Sequence, residues 1–329
     1  MRTFAAEIKS SSIGSIQFLP VSLFASVMGF SGLSLAWREA GELFGTSHVF
    51  ADISGILAIV LFLAMAVGYL SKWSIYPQKV KDEFAHPVSG NFFGTITIAV
   101  LLLSSVVGAY ERIAGQVIWI IGAATTLALS YVFVARLLKG NRDPGHVVPA
   151  MLIPVVGTLD IAVAGGTMSF NWAHEVNLLS LAIGGIVALV FFTLILSRLI
   201  HYAPLPAGIT PSLMILIAPF EVGFLGYTNF KQRIDSFASV LFYFGLFLFV
   251  VVFFKVFNRS VPFSASWWGV SFPMAALALA AIKYALYLRT WPLITIAAVV
   301  LALLSFVLIV LLLRTLKNLF TGRLLEGKS

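Results

Sequence analysis

Three ionisable residues interrupt otherwise apolar stretches of this 329-residue sequence: Asp160, Glu221 and Lys283. A charge at the centre of a membrane helix costs about 2.5–3.5 kcal/mol on insertion scales, so such residues are candidates for handling ions or protons. A fixed carboxylate repels an anion in a low-dielectric passage, whereas an ammonium attracts one. Three arrangements would accommodate the carboxylates: pairing with Lys283, a protonated buried state, or a proton relay in coupled transport.

Residues 267–274, which read Trp-Trp-Gly-Val-Ser-Phe-Pro-Met, place Phe272 and Pro273 inside another long apolar stretch. A proline within a membrane helix leaves a backbone carbonyl unpaired, and this is tolerated where neighbouring protein or a water-filled cavity satisfies it. The segment therefore predicts a bent helix that lines a conduit, with a bulky aromatic ring beside the bend.

Further prolines and small residues occur in the preceding spans. Pro154 and Pro219 lie inside the fifth and seventh apolar stretches of the chain, and Gly29, Gly94 and Gly157 lie in the first, third and fifth. Each glycine alone is explained by close packing between membrane helices. Their concentration in the odd-numbered spans favours helix bends and a shared pore.

The sequence offers little for enzymatic chemistry. It contains no cysteine, which excludes disulfides, thiolate metal sites and cysteine nucleophiles. Neither phosphate-binding nor dinucleotide-binding glycine motifs are present. The five histidines lie in or beside loops without the His-x-x-x-His spacing of a metal site: His48, His86, His146, His174 and His201. We predict no cofactor and no enzymatic activity.

The composition defines the class of protein. Apolar residues make up 60% and charged residues 10% of the chain, and the mean hydropathy is +1.01. Apolar runs close to the roughly 20 residues that cross a bilayer predict an all-α integral membrane protein rather than a β-barrel. We predict ten transmembrane helices, at 18–38, 48–70, 87–109, 115–138, 147–167, 176–200, 211–230, 236–257, 266–288 and 291–316.

The net charge of +8 follows this topology rather than a nucleic-acid interface. Most of the 21 Lys and Arg fall in the two tails and the loops on one side; the other side holds Arg38, Arg112, Lys231, Arg233, Lys283 and Arg289. The positive-inside rule then puts both termini in the cytoplasm. We expect short tails at 1–17 and 317–329, a single membrane domain at 18–316 and no cleaved leader. The ten helices should form five hairpins, and the odd-numbered helices, which are bent, should line the pore.

Several short motifs together resemble the tellurite-resistance/dicarboxylate transporter family, which includes bacterial TehA proteins, fungal malate permeases and plant guard-cell slow anion channels. The resemblance extends over nearly the whole chain and is most specific in the last motif. The motifs are Leu19-Pro20 with residues 32–37, His86-Pro87-Val88, Val148-Pro149-Ala150, Ile217-Ala218-Pro219, and residues 267–274 with Ile282-Lys283-Tyr284-Ala285.

The resemblance implies a ten-helix subunit with a pore closed by a phenylalanine, here Phe272, and association into homotrimers. Val27 and Thr97 align where TehA-like members have prolines in the first and third spans, so bending there would depend on adjacent glycines. The expected function is a gated passive channel for chloride or nitrate in the plasma membrane, most simply a bacterial inner membrane. The alternatives are a proton-coupled carrier of a dicarboxylate such as malate and an exporter of an oxyanion such as tellurite.

Overall fold

The structure is a computed structural model that describes residues 16–140, 143–258 and 260–322. Helices and turns account for all regular structure in these ranges. Ten helices of 13 or more residues follow one another: α1 Phe24–Phe44, α2 Val49–Ile75, α3 Gly94–Gly108, α4 Arg112–Leu138, α5 Ile153–Gly165, α6 Ala173–His201, α7 Ala218–Lys231, α8 Ser236–Val256, α9 Ser271–Leu288 and α10 Trp291–Phe320.

Eight helices in the described part are long and apolar enough to cross a membrane, which confirms the prediction of a multi-span helical membrane protein. The other two are α1, which carries charges near its end, and the apolar stretch Pro149–Gly165, which is shorter. Ten spans, paired hairpins and cytoplasmic termini therefore stay predictions. Most of the predicted N-terminal tail and residues 323–329 of the C-terminal tail lie outside the described residues.

Five helices, α1, α3, α5, α7 and α9, form a closed inner ring. Around the ring, α1 contacts α3, α3 contacts α5, α5 contacts α7, α7 contacts α9, and α9 returns to α1. Buried residues make up 67–83% of the membrane-length stretches that contain α3, α7 and α9, against 22–39% of those in the outer helices. The ring thus encloses an axis that is shielded from lipid.

The other five long helices cover the outside of the ring. Each packs on the inner helix that precedes it and also touches the next one: α2, α4, α6, α8 and α10. Their outward faces carry large apolar side chains at high exposure, as expected of surfaces in contact with lipid. The outer layer therefore isolates the polar backbone of the inner ring from the hydrocarbon.

Each inner helix begins with a 3-10 segment before it becomes α-helical. These segments are Val21–Leu23, Ser89–Phe93, Pro149–Leu152, Ala207–Ile217 and Ala265–Val270. Pro154 and Pro219 are the second residues of α5 and α7, and Pro273 is the third of α9. The amides of Ile153, Ala218 and Ser271, which begin these α-helices, donate to carbonyls of the preceding 3-10 segments. A proline has no amide proton to donate, so the run of hydrogen bonds is interrupted where each proline stands. The prolines therefore mark the change from 3-10 to α geometry.

A short helix that the sequence did not predict, Pro77–Ala85, packs against α2 and the 3-10 segment that precedes α3. Its Glu83 accepts hydrogen bonds from Lys72 Nζ at 2.6 Å, Tyr69 Oη at 2.9 Å and the backbone amide of Val21 at 2.9 Å. The carboxylate thus holds the end of α2 against the start of the first inner segment. Lys72 is 3% exposed and the Glu83 side chain is 15% exposed, so loss of the carboxylate leaves a buried ammonium without its counter-charge.

Candidate functional site

The five inner helices enclose a small cavity on their shared axis, here called the axial cavity. Its volume is about 20 Å³, close to the minimum that holds one water molecule. Every inner helix or its 3-10 segment contributes to the wall. The lining residues are Ala25, Met28, Phe92, Thr95, Ile98, Ile153, Val156, Ile215, Ala218, Trp268, Gly269, Phe272 and Pro273.

The wall of the axial cavity is almost wholly apolar. Its two polar side chains are already engaged: Thr95 Oγ1 donates to the Phe92 carbonyl at 2.6 Å, and Trp268 Nε1 donates to Thr315 Oγ1 at 2.9 Å. An ion that enters such a space loses its hydration shell and gains few replacement ligands. The axial cavity therefore offers an ion little compensation for its lost hydration.

A much larger cavity, here called the vestibule, lies at the N-terminal ends of the inner helices and has a volume of about 870 Å³. All five 3-10 segments contribute residues from their first turns, so the positive ends of the inner helices border this space. The lining residues are Phe18, Pro20, Val21, Ser22, Glu83, Val88, Ser89, Phe92, Val148, Ala150, Gly208, Ile209, Ser212, Phe263, Ser264, Ala265, Ser266, Arg314, Lys317 and Asn318.

Phe272 and Phe92 are the two phenylalanines of the axial cavity, and both are buried, at 6% and 8% exposure. Phe92 also lines the vestibule and is the residue that the two cavities share. It therefore separates them. The sequence motifs pointed to Phe272 and not to Phe92, although the run Phe92-Phe93-Gly94 puts aromatic rings directly before a candidate bend glycine.

Pro273 joins Phe272 in the wall of the axial cavity, while the other candidate bend or pore residues pack between helices. A Cβ at Gly29 would lie 2.6 Å from Ser271 Cβ, and one at Gly94 would lie 3.0 Å from Pro154 Cα. Both glycines thus allow close helix crossings within the ring, α1 with α9 and α3 with α5.

The remaining three candidates also have local roles. A Cβ at Gly157 would meet Ile98 at 3.0 Å, so this glycine is a further packing point of the ring. Val27 is fully buried in α1, and Thr97 Oγ1 donates to the Gly94 carbonyl of its own helix at 3.2 Å. In α1 and α3 the change from 3-10 to α occurs at Phe24 and Gly94, three residues before Val27 and Thr97.

The two buried carboxylates face different directions. Asp160 follows Ile153 and Val156 by seven and four residues, so it shares the helix face that lines the axial cavity and lies one turn beyond it. Glu221 turns outward instead, because a Cβ at Gly245 of α8 would lie 2.8 Å from Glu221 Cδ. Asp160 Oδ2 and both oxygens of Glu221 have no hydrogen-bond partner among the described residues.

Lys283 lies toward the opposite end of the ring from the vestibule. It follows Phe272 by 11 residues on the same face of α9, a rise of about 16 Å. Its ammonium donates to Asn229 Oδ1, and Asn229 Nδ2 donates to the Val163 carbonyl at 2.7 Å. Lys283 therefore has a partner other than Asp160 and Glu221, and these hydrogen bonds join α5, α7 and α9.

Comparison with known proteins agrees with this geometry. The family model described as SLAC1, voltage-dependent anion channel, matches residues 19–316. The S-type anion channel SLAH2 of Arabidopsis thaliana is 26% identical over 80% of this chain and 52% of its own length, so the chain spans about half of that relative.

Microbial relatives match over a larger share of their own length. The tellurite resistance protein TehA homolog of Haemophilus influenzae is 23% identical over 81% of both chains. An uncharacterized transporter of Methanocaldococcus jannaschii is 26% identical over 77% of this chain and 81% of its own length. The family consists of anion channels and transporters rather than enzymes. A family match that covers the whole helical ring therefore identifies this chain as a member of the SLAC1/TehA family of membrane anion channels and transporters.

Proposed function

We propose that this protein is a gated, passive anion channel whose pore follows the axis of the inner ring within each subunit. The observation that carries the proposal is the axial cavity, an apolar space of about 20 Å³ to which all five inner helices contribute. A carrier for a dicarboxylate would need convergent donors at a closed site, and the donors in this wall are already hydrogen-bonded. Selectivity would then depend on pore width and hydration cost, which favours chloride and nitrate.

Gating would consist of movement of Phe272, with Phe92 as a second ring at the vestibule end. Both rings lie in the wall of a space that holds about one water molecule, so removing either one widens the narrowest part of the path. The positive ends of the inner helices and the basic side chains Arg314 and Lys317 would concentrate anions in the vestibule.

The proposal includes the cellular setting. The vestibule would face the cytoplasm together with residues 1–17 and 317–329, with residues 18–316 as the membrane domain and the plasma membrane or a bacterial inner membrane as the location. Subunits would associate as homotrimers in which each one has its own pore. The support is the charge asymmetry of the loops and the family resemblance.

A second candidate is a proton-coupled carrier of a dicarboxylate such as malate, or an oxyanion exporter. Asp160 and Glu221 favour it, because both are buried carboxylates with unpartnered oxygens, as a proton relay needs. Asp160 is the better placed of the two, since it shares the cavity-facing side of α5.

The experiment that separates the two candidates uses purified, reconstituted protein. A channel gives chloride and nitrate currents that rise strongly in Phe272→Ala and need no pH gradient. A carrier gives no such current in either protein; instead, a pH gradient drives malate uptake, and Asp160→Asn or Glu221→Gln abolishes the dependence on that gradient. This second result would overturn the channel proposal.

A further inference from the structure

The vestibule and the axial cavity differ in what they admit. The vestibule, at about 870 Å³, lies in the range of about 300–1,000 Å³ that is typical of small-molecule sites. The axial cavity, at about 20 Å³, has room for one water molecule. An organic anion of several carboxylates therefore fits the vestibule and is far too large for the next space along the axis.

The charged groups of the vestibule wall leave it positive. Lys317 and Asn318 follow Arg314 by three and four residues, so all three share one face of α10. The Arg314 guanidinium lies over the Phe263 ring, 5.6 Å from its centroid, which restrains the side chain at the wall. The one acidic side chain of this wall, Glu83, is compensated by Lys72 at 2.6 Å.

Hydroxyl groups complete the polar lining. Ser264 and Ser266, on the segment that leads into α9, lie beside each other at 2.7 Å and both donate to the Gly208 carbonyl. Ser22 and Ser89 line the same space at the starts of two other inner segments. The Ser264 and Ser266 protons are thus directed at Gly208, which leaves the Ser22 and Ser89 hydroxyls and the two cations to face an anion. Two cations with hydroxyl donors around one cavity suit an anion with several oxygen acceptors better than a single halide.

We propose that the vestibule is a binding site for a small polyvalent anion, of the tricarboxylate or polyphosphate class, and that its occupancy blocks the pore. Arg314 and Lys317 would provide most of the attraction. The binding site does not depend on the proposed channel function, whereas the block rests on it. The two parts therefore need separate readouts.

Binding is tested with citrate as the probe, by calorimetric titration of purified wild-type protein at constant ionic strength. The double variant Arg314→Gln/Lys317→Gln should lose about tenfold or more in affinity, because two charges leave the wall. Lys255→Gln is the matched control: it removes one exposed basic charge from the end of α8, outside the vestibule wall. Equal citrate affinity in the wild type and the double variant, or no binding to the wild type, would overturn the inference.

Block is tested on the chloride current of Phe272→Ala with citrate added on the vestibule side. We expect concentration-dependent block that is relieved in the Arg314→Gln/Lys317→Gln background and retained with Lys255→Gln. Citrate binding without any chloride current would reject the channel proposal and leave the binding site intact. Current that citrate does not reduce, despite measured binding, would reject block as the consequence of occupancy.

Discussion

Replacing Gly29 by alanine should force α1 and α9 apart directly beside Phe272. The new Cβ would lie 2.6 Å from Ser271 Cβ, 2.8 Å from Ser271 Oγ and 3.0 Å from Leu308 Cδ2. Carbon atoms in ordinary contact are about 3.5–4.0 Å apart, so the two helices would have to separate by about 1 Å. Overpacking of this kind costs about 1–3 kcal/mol of folding free energy.

The same displacement should also loosen the proposed closure of the pore at Phe272. Ser271 Oγ bridges the two helices, because it lies 3.0 Å from the Ala25 carbonyl and 2.6 Å from the Trp268 carbonyl. Ser271 immediately precedes Phe272, so moving it carries the ring away from the axial cavity. We expect Gly29→Ala to lower the apparent melting temperature in detergent by several degrees and to raise the chloride current above that of the wild type.

The assay is a set of thermal unfolding curves with matched variants. Gly185→Ala is the control, since a Cβ at Gly185 of α6 meets nothing within 4 Å. Ser271→Gly removes the atoms that collide with the new methyl group, so Gly29→Ala should cost less stability in that background than in the wild type. Equal melting temperatures for Gly29→Ala and Gly185→Ala would contradict the predicted collision. An equal loss of stability for Gly29→Ala in the wild-type and Ser271→Gly backgrounds would contradict it as well.

Three other changes have expected outcomes. Glu83→Gln should destabilise the fold by about 3–5 kcal/mol in thermal unfolding, because the buried Lys72 loses its counter-charge. The Tyr227 hydroxyl that donates to Asp235 lowers the pKa of that carboxyl. The wild type should therefore be more stable than Asp235→Asn above the ordinary aspartate pKa, about 4. This difference in stability should disappear as the pH falls through the lowered pKa of Asp235. Lys283→Gln, tested in currents of the Phe272→Ala channel, should reduce chloride current roughly threefold at low ionic strength and much less near 1 M salt.

Each of these has a control and a contradictory result. Asp82→Asn, next to Glu83 but outside the buried pair, should be nearly neutral; equal effects of the two changes would contradict the role of Glu83. In Tyr227→Phe the stability should be lost at a higher pH on acidification than in the wild type. An unchanged dependence of stability on pH would contradict the role of the hydrogen bond. Arg289→Gln should alter the current less than Lys283→Gln, and a loss that persists at high salt would argue against an electrostatic role.

Hydropathy alone predicted most of the helices of the structure. Runs such as 176–200 and 291–316 are apolar enough that their helical state and membrane-spanning length follow from the cost of unpaired backbone groups in lipid. Their ends were less predictable. α6 extends over Ala173–His201 and α10 over Trp291–Phe320, because helical hydrogen bonding continues past the hydrocarbon boundary that hydropathy detects.

The geometry of the candidate site was less accessible from the sequence. Prolines 154, 219 and 273 indicated irregular backbone, but the same 3-10 to α change in α1 and α3 occurs without a proline in the α-helical first turn. Glu221 faces α8 because Gly245, 24 residues away, leaves space for its carboxyl. The partnership of Lys283 with Asn229 is likewise set by the packing of α9 on α7. Such contacts between distant residues are invisible to local pattern analysis.

The most direct test of the account is the anion conductance of the protein with both rings removed, Phe92→Ala/Phe272→Ala, beside the single variants. Phe224→Ala is the control, since Phe224 is a fully buried phenylalanine of α7 outside the axial cavity wall. The account predicts chloride current in Phe272→Ala, a larger current in the double variant, and none above wild type in Phe224→Ala. A folded double variant that conducts no more chloride than the wild type would contradict an anion path along the axis of the inner ring.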